Sequence, residues 1–193
     1  MQKLAQSDLY TLEAYARERP AFRARVIAHK QARAVPVGAH LTLLFEDRLT
    51  VQYQVQEMLR IERIFEAQAI QDELDTYNPL IPDGANLKAT LLIEYADPEE
   101  RARKLIDLHA IERGISLAVG ELPPAVAVAD EDLERSTDAK TSAVHFLRFE
   151  LSPAQVDAIK RGAQIVLAVD HPAYREHAAL GTTTCTALAG DLD

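Results

Sequence analysis

The sequence predicts an α+β fold, an N-terminal helical layer with one long central helix packed on a small, mostly antiparallel sheet of about five strands. Two observations lead there. Leu41 to Tyr77 contains neither Pro nor Gly and is dense in Gln, Glu, Met, Leu, Arg and Ala, all good helix formers. As one helix it would run about 55 Å at about 1.5 Å per residue. Beyond the turn signals Asn78-Pro79 and Pro82-Asp83-Gly84, the apolar period then shortens to that of strands.

Taken in order, Ser7 or Asp8 caps a first helix reaching Arg19, with Leu9, Leu12, Tyr15 and Ala16 as its apolar stripe. Pro20 opens a second helix, Ala21 to Arg33, with Phe22, Val26 and Ile27 inward. Val35-Pro36-Val37-Gly38 ends it. The central helix follows, with a kink near Asp47 to Thr50. Its middle, Val51 to Gln56, alternates like a strand. The spacing of Val55, Met58, Leu59, Ile61, Ile64 and Phe65 is nevertheless helical and decides for helix.

Leu87 to Tyr95 reads as a strand. Asp97 and Pro98 start a helix to about Ile111. Ile115 to Val119 and Ala125 to Ala129 are short strands, Asp130 to Thr141 a charged loop, and Val144 to Leu151 an alternating strand. Ser152-Pro153 begins a helix to Arg161 that Gly162 stops, and Ile165 to Val169 is the last strand. The expected organisation is a helical part, 1–78, a sheet part, 79–179, and a loosely ordered tail, 180–193, in one compact unit.

The 193 residues carry a net charge of −9, with a pI of about 5.2. This argues against nucleic acid or an anionic membrane surface as the main partner. The first forty residues run the other way, with seven Lys or Arg against three acids. Ion pairing within the chain or between subunits is the expected reason. The single cysteine, Cys185, excludes a disulfide framework and has no neighbouring base to activate it. No signal-peptide core or membrane-length apolar run is present, which points to a cytoplasmic protein.

No GxGxxG, P-loop, CxxC, HExxH or GxSxG pattern occurs, so no cofactor and no metal ligand set is assigned. The polar residues singled out are His40, Glu46, Gln56, Glu57 and Arg60 around the central helix, with Asp170 and His171 at the end of the last strand. Ionisable groups beside an apolar stripe would form a His/Glu/Arg site between helix and sheet. The plainer reading of Glu57 and Arg60 is an ion pair one turn apart. His145 alternates with core positions of its strand and reads as a cross-strand partner.

Four stretches together resemble a known family: FRARVIAHKQARAVPVGAHLTLLFEDRLTVQYQVQEMLRIERIFE, TYNPLIPDGANLKATLLIEY, DEDLERSTDAKTSAVHFLRFELSP and VDHPAY. They look like an uncharacterised bacterial domain family of unknown function, encoded beside rubrerythrin-like and iron–sulfur oxidoreductases of the heterodisulfide-reductase type. The resemblance implies an accessory or binding protein of a redox or oxidative-stress system, with such an oxidoreductase as partner. It carries no catalytic residues with it. A metal-binding protein or enzyme is the alternative expectation, and the long helix by itself would suit a homodimer.

Overall fold

The computed structural model describes residues 1–131, 135–137 and 140–193. Among them run eight antiparallel strands: β1 (Ala34–Val37), β2 (Leu41–Phe45), β3 (Asn86–Ile93), β4 (Ile115–Val119), β5 (Ala125–Ala129), β6 (Val144–Glu150), β7 (Ile165–His171) and β8 (Tyr174–Ala179). Their spatial order is β1-β2-β3-β6-β5-β4-β7-β8. The end strands β1 and β8 lie against one another, so the sheet curls into a nearly closed barrel. Strict alternation explains the inside. Leu41, Leu43 and Phe45 of β2, Ile115, Leu117 and Val119 of β4, and Ile165, Leu167 and Val169 of β7 all point into one continuous core. Each such side chain contributes about 1.5–3 kcal/mol by leaving water.

This corrects the expected small five-strand sheet under one long helix. Leu41 to Tyr77 is three elements: β2, then α2 (Arg48–Glu62) and α3 (Ala67–Tyr77). Helix propensity loses at Leu41–Phe45 because those residues pair across β3, Leu41 with Ile93, Leu43 with Leu91 and Phe45 with Ala89. Asp47 then caps α2, its carboxylate accepting from Thr50 N while Thr50 Oγ1 accepts from Asp47 N, both at 2.9 Å. Arg63, with φ of 56°, ends α2 in the left-handed region. On α2 the buried apolar residues are Val51, Val55 and Leu59. Ile61 and Phe65 of the predicted stripe stand in solvent, 57% and 75% exposed.

Other expectations also shift. The break at Pro20 does not occur: α1 is one helix, Leu12–Gln31, capped by Thr11 rather than Ser7 or Asp8. An interior proline forfeits one backbone hydrogen bond. Tyr15, Phe22 and Val26, packed on Leu49 and Tyr53 of α2 and its first turn, offset that loss. Ile27 faces outward instead. Val35-Pro36-Val37 is strand, not terminator. The tail expected to be loose forms α6 (Thr182–Gly190), and Leu188 and Leu192 join the core. The helices α4 (Pro98–Asp107) and α5 (Pro153–Lys160) start at their predicted caps, Asp97 and Ser152. The expected loop from Asp130 to Thr141 lies partly outside the described residues. No helix among those described is long and apolar enough to cross a membrane.

One buried charge cluster ties α1 and α2 to the C-terminal end of the chain. Arg33, 4% exposed, donates to both oxygens of Asp191 at 2.7 and 2.8 Å and lies 3.0 Å from Asp47 Oδ2. His29 Nε2 is 2.5 Å from the same Asp47 oxygen. Arg33 therefore ties the end of α1 to the cap of α2 and to the C-terminus. Arg33→Met strands two buried carboxylates and is expected to lower stability by about 3–5 kcal/mol in urea denaturation, with part recovered in Arg33→Met/Asp191→Leu. A loss below about 1 kcal/mol would place this pair among ordinary surface ion pairs.

Candidate metal centre

Three polar residues converge at one end of the barrel. His145 is the first inward position of β6, followed by Leu147 and Phe149 on the same face. Directly across the β5–β6 edge, Asp130 follows the last residue of β5 with φ of 52°, a conformation that Asp tolerates better than most residues. Its backbone N donates to Phe146 O at 2.9 Å, and its Oδ1 accepts from Phe146 N at 3.1 Å. The short turn Ile111–Gly114 brings Glu112 beneath the same end. Gly114 is needed there, since a Cβ would come within 2.5 Å of Asp170 O.

His145 is fully buried, and Glu112 is 3% exposed. Asp130 Oδ2 lies 2.6 Å from His145 Nδ1. Around His145 Nε2 stand Thr141 Oγ1 at 2.8 Å, the Ser142 carbonyl at 3.1 Å and Glu112 Oε2 at 3.9 Å. Ser136 Oγ donates to Glu112 Oε1 at 3.0 Å and lies 3.0 Å from Thr141 Oγ1. A carbonyl oxygen only accepts, and a carboxylate does the same when ionised. Nδ1 thus faces a carboxylate acceptor, and Nε2 faces the Thr141 hydroxyl, which can donate to it, together with the acceptors Ser142 O and Glu112. A cleft of about 500 Å³, lined by Arg113, Arg135 and Ser136 among others, opens onto Glu112 and Asp130.

The chain Asp130–His145–Thr141 has the order of an acid, a base and a hydroxyl. Thr141 is only 2% exposed and its hydroxyl is shared with Ser136, so no acyl group can reach it. A cation ligated by nitrogen and oxygen suits the donor set better. Among the described residues, Glu112, Asp130 and His145 are the one group of three or more His, Cys, Asp or Glu whose ligand atoms all lie within 4.8 Å.

The residues singled out from sequence stand in separate places, each with its own partners. His40 stacks on Tyr95 with centroids 4.0 Å apart, and its Nδ1 lies 3.1 Å from Glu94 O. Glu46 is buried beside β3, where Oε1 accepts from Thr90 at 2.6 Å and Oε2 has no hydrogen-bond partner among the described residues. Gln56 is fully buried and clasps the backbone of Tyr10, accepting from its N at 2.6 Å. Glu57 accepts from Tyr15, twice from Arg19 and, at 3.2 Å, from Arg60. Asp170 pairs with Arg175, and His171 Nε2 lies 3.0 Å from His109 O. Of this set, only Glu57 and Arg60 bond each other. The sequence reading passed over Glu112 and Asp130 and took His145 for a cross-strand partner alternating with the core positions, whereas β6 places it among them. The available signal was His145 itself, an imidazole at an inward position of an apolar strand, where a buried polar group must have partners.

A family model described as Protein of unknown function (DUF3501) matches residues 3–192. Among solved structures, the chain is similar to a novel protein of unknown function from Burkholderia pseudomallei. The two are 52% identical over 100% of both chains, with a TM-score of 0.95. Among curated proteins none matches.

The Glu57 cluster ties α1 to α2, and its acid limb is predictable. Hydrogen bonds from Arg19 first, then from Tyr15 and Arg60, outweigh desolvation and hold Glu57 down at about 2. A carboxylate with a lowered folded-state value adds stability that is present above its unfolded value, about 4.3. That contribution fades as pH falls toward 2. Glu57→Gln is expected to lower the thermal midpoint at pH 7 and to flatten its decline between pH 5 and 2. Parallel melting curves of the two proteins across that range would contradict this assignment.

Proposed function

The chain belongs to the DUF3501 family, and we propose that it binds a divalent metal cation at the barrel end, between His145 and Glu112. The single observation that carries this reading is the convergence of Glu112, Asp130 and the buried His145, the two carboxylates lining an open cleft. The gap of 3.9 Å between Nε2 and Glu112 Oε2 suits two ligand bonds of about 2.0–2.2 Å to one cation. Asp130, on Nδ1, then acts as the carboxylate that orients a ligating histidine. One imidazole with carboxylate and hydroxyl oxygens and no thiolate favours zinc, manganese or ferrous iron over cuprous copper. The cleft leaves room for water or a small ligand on the ion.

An accessory role beside a cytoplasmic redox partner is a second proposal. Its support is the family resemblance together with Arg17 and Arg23, which are exposed on α1 and carry no partner among the described residues. Arg19 and Arg33, by contrast, are used internally. An acidic oxidoreductase surface would suit those free guanidinium groups.

The experiment is metal binding by calorimetry, with elemental analysis of the protein as purified. One equivalent of zinc or manganese is expected, with affinity falling as pH drops because the ligands must lose protons. His145→Ala should abolish binding, and Asp130→Asn should weaken it roughly 10–100-fold. Equal binding by wild type and both variants would remove the proposal.

A further inference from the structure

We propose that the outer face of β3 and β6 carries a second site, binding a small organic monocarboxylate with its anion on Lys88 and its apolar body against Tyr77, Leu80 and Phe146. Lys88 and Arg148 stand directly opposite each other across these two strands, and like charges so placed destabilise a sheet. Arg148 is neutralised twice. It pairs with both oxygens of Glu131 at 2.7 and 2.8 Å and also with Glu150. Lys88 is half-buried and has no hydrogen bond or ion pair among the described residues. Desolvation, and after it Arg148, push its ammonium below the usual lysine range. A partly desolvated charge without a partner costs free energy that an anion in contact would return.

The space above Lys88 has the shape for one. A pocket of about 240 Å³ is bounded by Tyr77, Pro79 and Leu80 on the helical side and by Phe146 and Arg148 on the sheet, with the Arg135 guanidinium 4.5 Å from the centre of the Phe146 ring. Its helical wall is pinned. Asn78 exchanges hydrogen bonds with the backbone of Leu4 at 2.8 and 2.9 Å, and Lys3 Nζ donates to the carbonyls of Asn78 and Ile81. Glu131 at the rim repels a second charge on the ligand, which favours a monoanion. Arg148 already spends its fork on Glu131 and has no bidentate grip to offer a phosphate dianion. This site lies on the other face of β6 from the metal centre, since Phe146 and Arg148 point outward where His145 points inward, and the two share Arg135 at their rims.

The test is titration of the full chain with benzoate, and in parallel with inorganic phosphate, in 1H–15N correlation spectra. Benzoate is expected to give saturable shifts at Thr76, Tyr77, Leu80 and Phe146 to Arg148, and phosphate much smaller ones. Lys88→Met should weaken benzoate roughly tenfold or more, as should Thr76→Asp, which adds a carboxylate at the exposed rim, whereas Lys88→Arg should retain it. Three results each overturn the proposal: no saturable benzoate shift, unchanged affinity in Lys88→Met and Thr76→Asp, or phosphate binding as tight as benzoate.

Discussion

The rest of the structure depends on closure of the sheet. An antiparallel sheet of eight strands can hide an apolar face against itself only if its first and last strands meet. Here β1 and β8 are joined by one side chain. Tyr174, at the start of β8, donates its hydroxyl hydrogen to Val37 O at 2.7 Å and accepts from His40 N at 3.2 Å. Gly38, with φ of 69°, makes room, since a Cβ there would overlap the Tyr174 hydroxyl. Closure leaves no long bare edge, and it leaves two ends at which inward-facing residues can be polar.

His145 occupies one of those ends. Alternation along β6 commits it to the inside, as surely as it commits Leu147 and Phe149. Once inside, it must be satisfied, and Asp130, Thr141 and Glu112 do so. The helical layer plays a different part. Gln52 and Gln56 of α2 hold the backbone of Asp8 and Tyr10, Glu57 holds Arg19, and Arg33 reaches Asp191. Buried polarity there serves to fasten the chain's two ends, whereas at the barrel end it surrounds a space that opens to solvent.

Much of the later half of the chain was legible in the sequence, because its elements carry their own punctuation. Asp97-Pro98 and Ser152-Pro153 announced α4 and α5, and the alternation of Ile115 to Val119 and Val144 to Glu150 announced β4 and β6. The first half misled for a physical reason. Leu41 to Tyr77 contains no breaker, and its helix formers are genuine. The strand within it exists because β3 lies alongside, a partner distant in sequence, Leu41 pairing with Ile93, that local propensity does not register. The stop at Arg63 rests on a left-handed residue that is not glycine. For the site, His145 was visible and read as a cross-strand group. Its partners, Glu112 in a short turn and Asp130 past a strand end, are brought to it only by strand order, which no spacing in the sequence encodes.

The central claim is that the barrel end between His145 and Glu112 is a place for a metal ion. The most direct measurement is anomalous diffraction at the zinc edge from crystals of this protein grown with zinc. A single strong peak about 2.0–2.2 Å from both His145 Nε2 and a Glu112 carboxylate oxygen is the predicted result. Peaks confined to surface groups such as His40 or His177, with His145 still bonded to Thr141, would contradict it.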